Sequence, residues 1–150
     1  MPTVGSPVPP FVLTNQNGDS VDVTTLRGSN LLVYFYPRAD TPGCTQQACL
    51  LRDAAAQLGD TVVLGISPDP ISKLARFAAK HELGFDLLSD LDHGVAEAFG
   101  VWQEKKNYGK TYMGIVRSAF LVGPDGILRN VWPTITPKDT PVKLLEALQA

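Results

Sequence analysis

An α/β fold, with a central mixed β-sheet flanked by helices, is predicted by three features of the sequence. The runs Leu31 to Tyr36 and Thr61 to Ile66 are apolar and rich in β-branched and aromatic residues, as strands are. The segment between them has helical spacing, which makes a strand-helix-strand unit with parallel strands. Later in the chain, Ala119 to Val122 and Ile127 to Trp132 flank Gly123-Pro124-Asp125-Gly126, a pattern for an antiparallel hairpin. Parallel pairing early and antiparallel pairing late call for a mixed sheet covered by helices on both faces.

The individual elements follow in order. Phe11-Val12-Leu13 and Val21-Asp22-Val23 flank Asn17-Gly18-Asp19, whose residues tolerate positive φ, so the chain opens with a β-hairpin. After the first buried strand, Cys44, Ala48, Leu51, Ala55 and Leu58 recur at steps of four and three. They form one stripe of a helix that stops at Gly59, with Cys44 at its head and Cys49 pointing away. Ser67-Pro68-Asp69-Pro70 punctuates the chain, and Ile71, Leu74, Phe77 and Ala78 then mark an amphipathic helix ending near Leu83-Gly84. A short strand at Phe85 to Leu88, a helix from Asp92 to Phe99, a polar crossing from Gln103 to Lys110, the late hairpin and a last helix from Pro141 to Leu148 complete the order.

The 150 residues suit one domain spanning 1–150, large enough to bury a core without disulfides or structural metal. With 44% hydrophobic and 19% charged residues the composition is that of a soluble globule. A net charge of -2 gives no general attraction to nucleic acid or to anionic membranes, and Lys105-Lys106 is the only basic pair of note. The proline-rich start, Met1 to Pro10, lacks the basic and apolar regions of a secretory signal. A cytoplasmic protein is therefore expected, and two cysteines in a reducing compartment point to redox work or metal binding.

The chemistry concentrates in Pro37-Arg38-Ala39-Asp40-Thr41-Pro42-Gly43-Cys44, which carries a cysteine from a strand end to a helix start. A thiol attacks only as thiolate, and with an ordinary pKa of about 8.5 only a few per cent is ionised at neutral pH. Bringing such a thiol to about 6 takes roughly 3.4 kcal/mol, whereas a helix N-terminus supplies about 0.3 to 1. Hydrogen bonds and a fixed cation must supply the rest. Thr41, whose hydroxyl comes one turn before the sulfur, suits a hydrogen bond to that sulfur, the helix N-cap, or both together. Arg117, Arg38 and Arg52 compete as the cation. Pro37 and Pro42 serve as loop punctuation or as a steric collar that limits water around the sulfur.

Cys49 reads as a small buried hydrophobe or as a disulfide partner. On one intact helix, residues five apart have Cα atoms about 8.7 Å apart, beyond the roughly 4.4 to 6.8 Å of a disulfide. Bonding between Cys44 and Cys49 would then require the helix to unwind locally. A zinc site from Cys44, Cys49, His81 and His93 fits metal spacing poorly, because the two histidines are twelve residues apart.

Pro37-x-x-x-Thr41-x-x-Cys44 resembles the peroxiredoxin active-site motif. Phe35-Tyr36-Pro37 through Thr41-Pro42-Gly43-Cys44-Thr45 is similar to the bacterioferritin comigratory, or Q-type, group. The likeness continues through Gly65-Ile66-Ser67-Pro68-Asp69, Leu87-Leu88-Ser89-Asp90, Gly100-Val101-Trp102 and Tyr112-Met113-Gly114-Ile115-x-Arg117. It implies a thioredoxin-like fold with an N-terminal β-hairpin and a peroxidase for hydrogen peroxide and organic hydroperoxides, without metal or bound cofactor. By this resemblance Cys44 is the peroxidatic cysteine and Cys49 resolves its sulfenic acid as an intramolecular disulfide, which thioredoxin or a similar dithiol reduces. Thr41 would bond the peroxide, Arg117 would stabilise the developing charge and Pro37 would shield the sulfur. A monomer is expected. Two rival readings use the same fold: a protein thiol-disulfide oxidoreductase, which the absence of Cys-x-x-Cys disfavours, and a redox-responsive binding protein.

Overall fold

A computed structural model describes residues 1–150. Its main sheet has seven strands in the order β2-β1-β5-β4-β3-β8-β9, where β1 is Val12–Asn15, β2 Ser20–Asp22, β3 Leu31–Phe35, β4 Val62–Ser67, β5 Asp86–Ser89, β8 Ser118–Val122 and β9 Leu128–Trp132. β3, β4 and β5 run parallel, while β8 and β9 on one side and β1 and β2 on the other are antiparallel. This is the mixed sheet expected from the early crossover and the late hairpin.

The sheet alternation sorts side chains into two cores. Leu32, Tyr34 and Tyr36 pack with Ala119 and Leu121 beneath α1 (Pro42–Asp53), α3 (Ile71–His81) and α5 (Asp139–Gln149). Leu31, Val33 and Phe35 join Phe120, Val122, Phe99 and Phe11 on the face covered by α4 (Gly94–Ala98) and the N-terminal segment. Successive residues of a strand point to opposite faces, so fully buried β3 must be apolar at every position.

Two sequence expectations change in detail. The helix after β3 breaks at Ala54 into α1 and the short α2 (Ala55–Leu58), so that Ala54 is buried in place of Ala55, which is exposed. The polar crossing forms a separate two-stranded ribbon, β6 (Trp102–Asn107) and β7 (Lys110–Ile115). Its tip turns through Tyr108 and Gly109, both at positive φ, as a tight hairpin turn requires. Most of its side chains are exposed, so there was no alternation of apolar and polar residues to reveal it.

Candidate active site

β3 ends at Phe35, and the loop from Tyr36 to Thr41 carries the chain onto α1. Two contacts seat that loop on the end of β4. The Tyr36 N–H donates to the Ile66 carbonyl at 3.1 Å, extending the parallel pairing by one bond. The buried Asp69 carboxylate accepts from the Ala39 N–H at 2.7 Å and from the Ser67 hydroxyl at 2.8 Å. Asp40 then takes a positive φ of 62° and is held from α3 by Lys80 Nζ at 3.0 Å and His81 Nε2 at 3.2 Å. Those hydrogen bonds, His81's first and Lys80's second, hold the Asp40 carboxyl below its ordinary pKa.

Thr41 has the extended backbone of an N-cap, and its carbonyl accepts the first helical bond from the Thr45 N–H at 2.8 Å. Contrary to both sequence readings, its hydroxyl neither caps the helix nor donates to the Cys44 sulfur; it donates to the Arg38 carbonyl at 2.8 Å, three residues back. Pro42 opens the helix, where the missing N–H costs nothing. Cys44 follows in the first turn, only 2% exposed, with its sulfur toward the positive end of the helix.

The cation at the sulfur is Arg117. Its Nη2 donates to Cys44 Sγ at 3.4 Å and its Nη1 to Gln47 Oε1 at 2.7 Å. Gly43 makes room for the approach, since a Cβ there would lie 3.3 Å from Arg117 Nη2. Arg52 is committed elsewhere, to Asp53 and to the His81 carbonyl, and Arg38 is exposed on the loop. Cys49 is a half-buried free thiol on the same uninterrupted helix as Cys44, and Pro37 is half-buried at the start of the loop. The residues considered for zinc are held apart from one another: His81 bonds Asp40, and His93 stacks flat on Trp102 at 3.9 Å.

The sheet beneath the sulfur supplies an apolar floor with two tyrosines. Tyr34 and Tyr36 are buried, their rings 5.5 Å apart, and burial pushes both phenols well above their ordinary range. They therefore remain neutral. The Tyr34 ring lies over Gly65, where any Cβ would come within 2.8 Å of it.

The family model described as AhpC/TSA matches residues 4–131. This chain belongs to the AhpC/TSA family. Peroxiredoxin Bcp of Escherichia coli strain K12 is 52% identical over 130 residues, covering 85% of this chain and 83% of its own. Peroxiredoxin Bcp of Bacillus subtilis strain 168 is 41% identical over 148 residues, 97% of this chain and 94% of its own. Among solved structures, the bacterioferritin comigratory protein of Xanthomonas campestris, studied for its alkyl peroxide reduction activity, superposes with a TM-score of 0.86 at 32% identity. That match covers 93% of this chain and 90% of the other. A cysteine-to-serine variant of Xylella fastidiosa PrxQ superposes with a TM-score of 0.92 at 26% identity, covering 99% and 96%. The chain is thus a peroxiredoxin of the Bcp and Q-type group on a thioredoxin-like fold, a thiol-dependent peroxidase.

Three polar residues of this peroxiredoxin site were not among those expected to serve it. Gln47, fully buried, joins Arg117 to α5 through Thr140, and Asp69 seats the loop. A polar residue three positions after Cys44 falls on the buried side of α1, one turn further along the helix, and that was the available signal for Gln47. Nothing local marked Thr140, which lies 93 residues away.

Proposed function

We propose that Cys44 is the peroxidatic cysteine, and the observation that carries the assignment is the 3.4 Å contact from the Arg117 guanidinium to its sulfur at the head of α1. The Cys44 thiolate attacks one oxygen of a hydroperoxide; an S–O bond forms as the O–O bond breaks. The departing oxygen takes a proton and leaves as alcohol or water, while Cys44 becomes sulfenic acid. Arg117 offsets the negative charge on sulfur and then on the separating oxygens. The single hydrogen of Thr41 is committed to the Arg38 carbonyl, so its oxygen acts as an acceptor and orients the peroxide by receiving its O–H. Pro37 shields the sulfur from water.

Cys49 is the resolving residue. Its sulfur displaces the hydroxyl of the Cys44 sulfenic acid as water and forms the intramolecular disulfide, which thioredoxin or a similar dithiol reduces by exchange. Because both cysteines lie on α1, the helix unwinds between them in each cycle. The chain works as one domain, 1–150, and as a cytoplasmic monomer without nucleic-acid or membrane partners. Its net charge of -2 and its low cysteine count, two in 150 residues, favour that reading.

The test is peroxide consumption coupled to a thioredoxin system by wild type, Cys44→Ser and Cys49→Ser. Cys44→Ser is expected to lose turnover entirely. Cys49→Ser should complete a single turnover and stall as sulfenic acid. Full turnover by Cys44→Ser would overturn the assignment.

A further inference from the structure

Gln47 occupies an unusual place. It is fully buried, it contacts the cation of the site, and it stands between the two cysteines in sequence. Its amide is oriented by the groups around it. Thr140, itself 1% exposed, donates its one hydroxyl hydrogen to the Thr136 carbonyl at 2.8 Å, so the Thr140 oxygen can only accept. Gln47 therefore presents its Nε2 to Thr140 at 2.9 Å and its Oε1 to Arg117 at 2.7 Å. One side chain thus ties the first turns of α1 to α5 and holds the guanidinium against the sulfur.

We propose that Gln47 is a positioning residue that couples the two chemical steps in opposite directions. The idea rests on reading Cys44 as the attacking thiol and Cys49 as the resolving one. While α1 is wound, Gln47 holds Arg117 where it can act on Cys44, which speeds sulfenic acid formation. When the segment from Cys44 to Cys49 unwinds, Gln47 is pulled out with it, and Arg117 and Thr140 both lose their amide partner. Those two hydrogen bonds thereby favour the wound state and slow disulfide formation. The same bonds that promote attack delay resolution, and the delay prolongs the lifetime of the sulfenic acid.

Single-turnover quenched-flow with hydrogen peroxide, separating thiol, sulfenic acid and disulfide by mass spectrometry, reads both rates in one experiment. Gln47→Ala is expected to slow sulfenic acid formation about 10-fold and to speed disulfide formation about 5-fold, the scale of losing one or two hydrogen bonds. Thr140→Val removes the tie to α5, together with the local Thr140–Thr136 bond, and leaves the Gln47–Arg117 bond in place. It should accelerate disulfide formation while slowing the first step less than Gln47→Ala does, and Thr140→Ser, which keeps the hydroxyl, should restore the wild-type rates.

Equal slowing of both steps, or two unchanged rates in folded Gln47→Ala, would overturn the proposal. Should Gln47→Ala fail to fold, Thr140→Val decides alone: a disulfide rate no faster than wild type sinks the idea. Failure of the underlying reading looks different, because the wild type itself would then show no sulfenic acid preceding a disulfide between Cys44 and Cys49.

Discussion

The two faces of the central sheet are built on different principles although the same strands supply both. The face beneath α4 is mainly hydrocarbon, with Phe11, Phe35, Phe99 and Phe120 in mutual edge and tilted contacts at 5.0 to 6.0 Å and the buried Asp90 carboxylate confined to the start of α4. The face beneath α1, α3 and α5 mixes apolar packing with buried polar groups: the Cys44 thiol, the Gln47 amide, the Thr140 hydroxyl and the phenols of Tyr34 and Tyr36. Apolar packing is non-directional and changes little with small displacements, whereas each polar bond has one geometry and is lost when that geometry is lost. The comparison teaches that one face is held by packing that tolerates small displacements, and the other by a few directed bonds that a displacement of α1 would break together.

Four substitutions break or sharpen this division, from largest effect to smallest. Phe120→Ala removes a fully buried ring from the hydrocarbon face and should cost about 3 to 5 kcal/mol of stability, read by denaturant unfolding. The peroxide reactivity of the folded fraction should hardly change. Were Phe120→Ala to slow the chemistry more than any substitution near the sulfur, the division would be wrong. Arg117→Met should slow sulfenic acid formation about 10- to 100-fold in rapid mixing, the loss of a hydrogen bond to a charged group. Stability should fall by only about 1 kcal/mol, because Gln47 Oε1 loses its partner.

Tyr34→Phe tests the polar face in the opposite direction. The Tyr34 hydroxyl is buried and has no hydrogen-bond partner in the protein, so its removal should leave stability unchanged or raise it by up to about 1 kcal/mol. A marked loss would show that the phenol contributes a bond to the site. Asp40→Asn should have the smallest effect, and that effect should depend on pH. The folded carboxyl of Asp40 sits below its ordinary value, so its stabilising contribution is complete above the unfolded pKa of about 3.9 and is lost as the pH falls through the lower folded value. Thermal melts of wild type and Asp40→Asn should therefore differ slightly at neutral pH and converge under strongly acid conditions.

Much of the fold was legible because it follows from burial. β3 and β4 are apolar at nearly every position and could only be central strands, and the helices α1 and α3 have their apolar residues at helical steps. The β6–β7 ribbon was not legible, since beyond the Trp102–Ile115 pair at its base neither face is buried in the core and no pattern of residues is imposed on it. The break at Ala54 was also hidden, because the run Ala54-Ala55-Ala56 suits a continuous helix.

At the site the same distinction holds. Sequence alone placed a cysteine at a helix start, showed that the helix end could not by itself account for an activated thiol, and required a second cysteine five residues on to wait for the helix to unwind. These are consequences of local geometry, which short segments carry with them. Only the tertiary structure decided that Arg117 rather than Arg38 or Arg52 reaches the sulfur, that the Thr41 hydroxyl turns to the Arg38 carbonyl, and that Gln47 links Arg117 to Thr140. The bonds of Arg117 to Cys44 and Gln47, and of Gln47 to Thr140, join residues at least 70 positions apart. Such pairings depend on how the sheet stacks its strands and which helix covers which face, and no local stretch of residues contains that information.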